Sequence, residues 1–365
     1  MDERGPVIVV EDDPFTRIVQ VVLDSDTEPE RLTAFSAFFA HDLPDFAGWL
    51  SKLRTRLVHL RCARVILVAS QEALREALPV AHAAVVEGFQ IGLEDIERAP
   101  LLRVVQKFGT ITSNIDAVSC GNRGIRLLVL RRRANMACAE HALAMMLALS
   151  RKICEANGLL SEKALREAGY APGAFDRRHT ANSNWARITG MRTLHGAMLG
   201  IVGFGEIGRE LASRALACGM RLVYTQRRRM SAADEARYMA SYRGLDELLR
   251  ESDYISLNLP GNAATRGIIG RRELELIKPG AILINVSRAD LVEREALLDA
   301  LHAGRLGGFA TDLPYEEPGR DDDPLLAFRN VIVTPHIAAQ PRFNALDDLD
   351  ELLTNLDCAL AEAAR

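Results

Sequence analysis

Arg288, Glu317 and His336 combine reactive side chains with positions at which parallel sheets usually bind ligands. Arg288 follows the apolar run 281–286 and His336 follows the run 331–334, both predicted to be strands. In an open α/β sheet, ligands bind beside the carboxyl ends of strands. Histidine transfers protons near neutral pH, a nearby carboxylate favours its protonated ring, and a guanidinium binds a carboxylate through two hydrogen bonds. We therefore predict a site that exchanges a proton with a carboxylate-bearing substrate, although a single histidine at a strand end is more often structural.

A glycine-rich segment predicts a dinucleotide site. It runs Gly-Phe-Gly-Glu-Ile-Gly after the apolar strand 198–202 and leads into a predicted helix, 206–218. The first glycine permits a tight turn, the second lets a pyrophosphate approach, and the third lets the helix pack on the strand. The helix N-terminus then offers unpaired N–H groups to the phosphates. The residues predicted to bind the cofactor here are Gly203, Gly205, Glu206, Ile207 and Gly208.

The end of the next predicted strand, 221–226, bears on the choice of dinucleotide. An NAD site usually has Asp or Glu about 20 residues beyond the glycines, where it binds the ribose 2′-hydroxyl. Here Gln226 takes that place, and Arg227, Arg228 and Arg229 follow. A neutral amide and guanidinium groups would accept a 2′-phosphate that a carboxylate would repel. The sequence favours NADP(H) with NAD(H) possible; the alternative is a solvated arginine cluster at a strand end.

Composition limits the kind of protein. The 365 residues are 48% hydrophobic and 26% charged, with a net charge of −4, which gives no reason to expect a nucleic acid or anionic membrane partner. The acidic start of the chain is unlike a secretory signal. Six scattered cysteines without a CxxC pair argue against a metal site or a disulfide framework. We expect a cytoplasmic protein without metal.

Alternating apolar runs and helical patterns predict an α/β fold with two Rossmann-like domains. A doubly wound coenzyme domain, 135–336, is expected to be inserted into a smaller flavodoxin-like substrate domain, 1–134 with 337–365. Residues 18–24 are predicted to be the first strand of the substrate domain, and 28–57 to be helical with a break at 41–44. Residues 154–195 are predicted to be an insertion, either a dimerisation arm, a flap or a solvated connector. The other predicted strands are 64–68, 82–86, 101–106, 125–130, 198–202, 221–225, 254–258, 281–286, 309–312 and 331–334.

Four motifs in order resemble the D-isomer-specific 2-hydroxyacid dehydrogenase family, of the phosphoglycerate dehydrogenase and glyoxylate-hydroxypyruvate reductase kind. They are the glycine motif, Asn285–Ala289, Asp312–Pro318 and Thr334–Ile337, and the resemblance covers roughly residues 60 to 345. Asn114–Asp116 and Ala139–His141 also resemble the family. The resemblance implies a homodimer that interconverts a 2-oxo acid and a D-2-hydroxy acid. It assigns catalysis to Arg288, Glu317 and His336, with His336 as acid and base; cofactor binding also to Pro260, Val286, Ser287 and Asp312; and substrate binding to Phe108, Gly109, Thr110 and Arg288.

Several positions depart from the family. Ala289 replaces a glycine, and Ile111 and Ser113 replace a glycine and an aspartate in the substrate loop. Arg131–Arg133 replaces a Pro-Gly pair and is interpreted either as positive charge for a substrate's distal acid or phosphate, or as a solvated hinge cluster. The substrate therefore cannot be copied from a familiar member.

Two other functions stay open. The chain could be a catalytically weak dinucleotide-sensing binding protein or corepressor, which measurable turnover would exclude. It could also be a formate-type dehydrogenase, which Glu317 disfavours because that group typically has Gln there.

Overall fold

The computed structural model describes residues 5–24 and 27–363. The chain divides into two compact units, Met1–Ala137 with Ala339–Arg365 and Cys138–Ala338, which we call the first and second units. The boundaries predicted from the sequence are 134/135 and 336/337. Each unit contains a parallel sheet with helices, so the predicted α/β fold with two Rossmann-like domains is confirmed.

The first unit contains a five-stranded parallel sheet in the order β2-β1-β3-β4-β5, which is the flavodoxin-like order. Successive residues of a strand point to opposite faces of its sheet. Ile8 and Val10 of β1 accordingly pack in one apolar cluster and Val9 in another. Helices therefore cover both faces. The strands are β1 (Val7–Glu11), β2 (Arg64–Val68), β3 (Ala83–Val86), β4 (Val104–Lys107) and β5 (Arg126–Leu128); the helices are α1 (Arg17–Leu23), α2 (Pro29–Phe39), α3 (Phe46–Arg56), α4 (Gln71–Ala77), α5 (Leu93–Glu97) and α6 (Ala117–Asn122).

The prediction of a first strand at 18–24 is wrong, because this segment is helix α1. The first strand is β1, which pairs with β2 on one side and with β3 on the other. A short buried apolar run does not distinguish a strand from a helix by periodicity. Here Arg54 donates hydrogen bonds to the carbonyl groups of Val21 and Val22, which satisfies acceptors that a helix end leaves unpaired.

The second unit contains a seven-stranded parallel sheet in the order β12-β11-β10-β9-β6-β7-β8. This is the doubly wound 3-2-1-4-5-6 order with one further strand. The chain direction along the sheet reverses between β6 and β9, which places a ligand crevice at their carboxyl ends. The strands are β6 (Met198–Val202), β7 (Arg221–Thr225), β8 (Ala240–Tyr242), β9 (Tyr254–Leu257), β10 (Ile282–Asn285), β11 (Gly308–Thr311) and β12 (Val331–Val333).

Helices α7 (Arg133–Ser150), α8 (Ile153–Ala156), α9 (Glu162–Glu167), α10 (Glu206–Ala217), α11 (Ala232–Arg237), α12 (Leu245–Glu251), α13 (Arg271–Leu276), α14 (Arg294–His302) and α15 (Phe343–Ala363) complete the fold. Within the predicted insertion 154–195, turns and irregular chain surround α9. The insertion is attached to the second unit because Arg329 donates a hydrogen bond to the carbonyl of Ala168. In the part of the chain that the structure describes, no helix has both the length and the apolar character needed to cross a membrane.

Candidate active site

The three glycines after β6 each serve a different purpose. Gly203 has a φ of 94°, and a Cβ on it would lie 2.5 Å from the carbonyl oxygen of Asn258. A Cβ on Gly208 would lie 2.5 Å from the carbonyl oxygen of Gly203, so only glycine lets α10 approach the turn. A Cβ on Gly205 would meet no atom within 4 Å. The bare backbone at Gly205 therefore leaves a cradle that a side chain would fill and that fits a pyrophosphate.

The start of α10 lies beside this cradle. Gly205 precedes the helix, and Glu206 and Ile207 form its first turn. The N–H groups of a first turn lack partners within the helix and attract anions. Asn258, at the end of β9, has a buried side-chain oxygen without a hydrogen-bond partner among the described residues. The glycine turn, the helix end and this unpaired oxygen fit a bound dinucleotide.

The segment after β7 is held by a small hydrogen-bond network. Gln226 donates to the carbonyl of Arg228 at 2.7 Å, and its Oε1 accepts from the N–H of Phe204 at 3.3 Å. Arg229 instead forms two hydrogen bonds to Glu235, at 2.8 and 2.9 Å. Arg227 and Arg228 are exposed, and no described residue forms an ion pair with either. The network therefore separates one structural arginine from two that remain available to an anion.

Tyr224 and Glu235 anchor the segment after β7 through hydrogen bonds. The Tyr224 hydroxyl donates to Glu235 at 2.8 Å and accepts from the N–H of Met230 at 2.9 Å. Hydrogen bonds from Arg229 and Tyr224 lower the pKa of Glu235 from 4.5 to about 2. Burial, together with the bond to Glu235, raises the pKa of Tyr224 to about 12. Glu235 is thus a charged anchor at neutral pH.

Asn285 shapes the turn that projects Arg288 after β10. Its side-chain oxygen accepts from the N–H of Ser287 at 3.1 Å, and its nitrogen donates to the carbonyl of Arg288 at 2.7 Å. The Ser287 hydroxyl donates to the carbonyl of Leu257 at 2.9 Å, which ties the turn to β9. Ala289 begins a 3-10 helix, Ala289–Leu291. The family's glycine is therefore not required for backbone conformation here.

Gly261 gives Arg288 the space that its side chain occupies. A Cβ on Gly261 would lie 2.5 Å from Cγ and 3.0 Å from Cβ of Arg288. These residues, together with Arg266 and Asp290, line a cavity of about 340 Å³. Pro260 precedes Gly261, and its carbonyl accepts from the Thr265 hydroxyl at 2.7 Å. Val286 is buried at the end of the sheet.

Glu317 and His336 form a direct contact. Oε1 of Glu317 lies 2.9 Å from Nδ1 of His336, and each side chain is about half exposed, at 48% and 50%. Because Nδ1 faces the carboxylate, Nε2 is the ring nitrogen that can exchange a proton with a ligand.

Asp312 is buried, and its contacts lie in the loop that carries His336. Its carboxylate accepts from the Thr334 hydroxyl at 2.6 Å and from the N–H groups of Ile337 and Ala338 at 2.9 and 2.7 Å. Its carbonyl accepts from the N–H of His336 at 2.7 Å. Asp312 thus lies at the predicted site and organises the loop after β12.

Strand order brings the three predicted catalytic segments to one edge of the sheet. Arg288, Glu317 and His336 follow β10, β11 and β12, which are adjacent and parallel. The carboxyl ends of adjacent parallel strands lie about 5 Å apart. The edge that carries the glycine turn therefore also carries a guanidinium, an imidazole and a carboxylate.

Phe108, Gly109 and Thr110 belong to the first unit, where they follow β4. The N–H of Phe108 donates to the carbonyl of Val86, so it is used within the sheet. Arg132 lies 4.1 Å from the centroid of the Phe108 ring and contacts Glu87 at 2.6 Å. Burial raises the pKa of Glu87, and the Arg132 guanidinium opposes this shift.

The arginines at 131–133 are largely paired. Arg132 contacts Glu87, and Arg133 contacts Asp348 and Glu351, each at 2.8 Å. These pairs favour a structural role over a free positive charge for a substrate's distal acid.

Three residues of the site have no role predicted from the sequence: Asn285, Gly261 and His141. The spacing Asn-x-x-Arg points to a turn held by Asn285. A glycine after the end of a strand points to close approach at Gly261. His141 contacts Thr334 at 3.0 Å across 193 positions of sequence, so no local pattern could reveal it.

The chain is similar to known proteins over most of its length. Residues 143–338 match the family model described as D-isomer specific 2-hydroxyacid dehydrogenase, NAD binding domain. The glyoxylate reductase of Thermococcus litoralis is 36% identical over 252 residues, which cover 68% of this chain and 71% of that protein. The glyoxylate/hydroxypyruvate reductase B of Yersinia pseudotuberculosis is 32% identical over 293 residues, covering 78% and 85%. The solved structure of an acyclic imino acid reductase in complex with NADPH and D-Arg is 25% identical, with a TM-score of 0.51, and covers 85% of this chain and 93% of that one.

Proposed function

Because the chain belongs to the D-isomer specific 2-hydroxyacid dehydrogenase family, we propose that it interconverts a 2-oxo acid and a D-2-hydroxy acid with His336 as acid and base. The chain is an oxidoreductase of this family that uses a nicotinamide dinucleotide. The observation that carries the proposal is the 2.9 Å contact between Glu317 and His336. This contact lies at the carboxyl ends of the strands, where the turn that carries Arg288 also lies.

The residues divide the chemistry among them. Arg288 binds the substrate carboxylate and stabilises negative charge that develops on the reacting oxygen. His336 donates a proton from Nε2 to that oxygen during reduction and accepts it during oxidation. Glu317 holds the ring in place through Nδ1. The bound nicotinamide supplies or accepts the hydride.

We propose glyoxylate or hydroxypyruvate as the 2-oxo acid, because relatives of both names cover most of the chain. Gly109 and Thr110 are proposed to contribute to substrate binding, as the family resemblance implies. Phe108 is proposed to position this segment, since its N–H is bonded to Val86 and its ring is buried against Arg132.

We propose NADP(H) as the preferred cofactor, with NAD(H) as a weaker one. The exposure of Arg227 and Arg228 supports this preference, as does the neutral Gln226 at the position where a carboxylate would repel a 2′-phosphate.

The chain's assembly and location are proposed from the family and the sequence. We propose a homodimer, as the family resemblance implies, and action in the cytoplasm, which the scattered cysteines support. Light scattering on the purified protein would give a mass of two chains if the first proposal is right and of one chain if it is wrong.

The experiment is to follow reduced nicotinamide absorbance with NADPH and then NADH across a panel of 2-oxo acids that includes glyoxylate, hydroxypyruvate and its 3-phosphate, pyruvate, 2-oxoglutarate and phenylpyruvate. Oxidation of the cofactor with formation of the D-enantiomer, where the product is chiral, supports the proposal. Confirmed cofactor binding without oxidation by any acid would contradict it and favour a dinucleotide-sensing binding protein.

A further inference from the structure

The loop that carries His336 is held by a series of hydrogen bonds that begins on α7, a helix far from the loop in sequence. We propose that His141 and Thr334 are positioning residues, which act through the Asp312 carboxylate to hold His336 in place. This inference rests on the proposed function of His336 as acid and base. It adds two residues that do not touch the reacting atoms.

Asp312 contacts the loop on both sides of His336. Its carbonyl accepts from the N–H of His336 at 2.7 Å. Its carboxylate accepts from the N–H groups of Ile337 at 2.9 Å and Ala338 at 2.7 Å. A turn of Asp312 would therefore move the backbone immediately after the histidine.

The backbone of His336 needs such support. Its φ is 55°, in the left-handed region that residues other than glycine adopt infrequently. A residue keeps this conformation only where its surroundings determine it, and such residues cluster at functional sites. The hydrogen bonds that Asp312 accepts from the N–H groups of His336, Ile337 and Ala338 hold the backbone in this conformation.

The chemistry of each group determines which one donates and which one accepts in this series of hydrogen bonds. The Thr334 hydroxyl has one proton, which it donates to Oδ1 of Asp312 at 2.6 Å. Its remaining lone pairs can only accept, so Nε2 of His141, at 3.0 Å, must be the donor. The same Nε2 lies 3.5 Å from Oδ1 of Asp312.

This series of hydrogen bonds therefore connects three residues from three segments of the second unit. His141 on α7 donates to Thr334 after β12, and Thr334 donates to Asp312 after β11. Asp312 is 1% exposed. A buried carboxylate that loses a hydrogen-bond donor is less stable in its present orientation. Removing either donor should misplace His336 without removing any group that binds the cofactor.

The test uses two disruptive variants, each with a conservative partner. Thr334→Val and His141→Leu remove the donors, whereas Thr334→Ser and His141→Gln keep a hydroxyl or an N–H. We expect kcat to fall about 10- to 100-fold in the disruptive variants, because small misplacement of a reacting group has effects of this size. The dissociation constant of the cofactor should change much less than kcat, because the glycine turn proposed to hold the pyrophosphate is untouched. The conservative variants should recover most of kcat. Thr334→Val and His141→Leu combined should be little worse than either alone, because both break the same chain.

Ser150→Ala is the matched control for a general effect on α7. Ser150 is a buried residue of the same helix whose hydroxyl contacts Tyr254 at 2.8 Å. Its loss should lower the melting temperature and leave kcat unchanged. A fall in kcat for Ser150→Ala equal to that for His141→Leu would show that helix stability alone explains the result and would overturn the inference.

Hydrogen exchange of the Ile337 and Ala338 amides provides a readout that does not depend on activity. Both amides should exchange faster in Thr334→Val and His141→Leu than in the wild type. Unchanged exchange or unchanged kcat in these variants would overturn the inference, while an active wild type would leave the proposed function intact. A wild type without turnover would instead contradict the proposed function, whatever the exchange result.

Discussion

Oε1 of Glu317 lies 2.9 Å from Nδ1 of His336, so this carboxylate engages one ring nitrogen and leaves Nε2 for a ligand. Glu317→Gln keeps an acceptor for the ring N–H but removes the negative charge beside the ring. A hydrogen bond to a charged group contributes about 1.5–3 kcal/mol, so kcat/KM should fall about 10- to 100-fold. Steady-state kinetics with the best 2-oxo acid measure this change. Glu316→Gln, on the neighbouring exposed carboxylate, is the control and should match the wild type; equal losses in both variants would count against a specific role for Glu317.

Gly261→Ala should displace Arg288. A new Cβ would lie 2.5 Å from Cγ of Arg288, and atoms near the start of a side chain cannot move aside without a change of rotamer. We expect KM for the 2-oxo acid to rise about tenfold or more, because a charged contact to the substrate carboxylate is weakened. Gly121→Ala, where a Cβ meets no atom within 4 Å, should leave KM unchanged. An unchanged KM in Gly261→Ala would mean that Arg288 does not bind the substrate from this position.

Substitutions of the arginines after β7 should affect cofactor preference and stability differently. The double variant Arg227→Ser with Arg228→Ser should raise KM for NADPH much more than KM for NADH, because the 2′-phosphate loses its cations. Arg229→Ser is the matched control, since Arg229 is already bonded to Glu235. Arg229→Ser should lower the melting temperature but leave the ratio of KM for NADPH to KM for NADH close to that of the wild type. If the double variant loses affinity for both cofactors equally, the proposed preference for NADP(H) is wrong.

Glu235 should make the second unit sensitive to acid. Because Arg229 and Tyr224 lower the pKa of Glu235 to about 2 from 4.5, the charged form is favoured in the folded state. Its contribution to stability is complete above pH 4.5 and is lost as the pH falls towards 2. The melting temperatures of wild type and Glu235→Gln should therefore differ most near neutral pH and converge over this range. A difference that stays constant down to the lowest pH would exclude this ion pair as the cause.

The sequence predicted the second unit well because its signals are local. A glycine turn between an apolar strand and a helix identifies β6 and α10, and apolar runs identify β9, β10 and β11. The three-residue edge strand β8 was missed because it is too short to show a pattern. The strand predicted at 18–24 was wrong because a buried run suits a helix as well as a strand, and a remote guanidinium, that of Arg54, contacts the end of this helix.

The site was predictable in its residue types but not in its supports. Motif and strand position point to Arg288 and His336, whereas the contact of Gly261 with Arg288 depends on a backbone path that sequence does not show. The bond between His141 and Thr334 spans 193 positions. Tertiary packing alone brings such groups together, so only a structure can reveal them.

The most direct test of the account compares wild type with His336→Asn in the reduction of glyoxylate and hydroxypyruvate by NADPH. Loss of a positioned proton-transfer group should lower kcat about 100- to 10,000-fold, while cofactor binding measured by fluorescence titration stays the same. Wild-type turnover that is retained in His336→Asn would show that another group transfers the proton and would contradict the account.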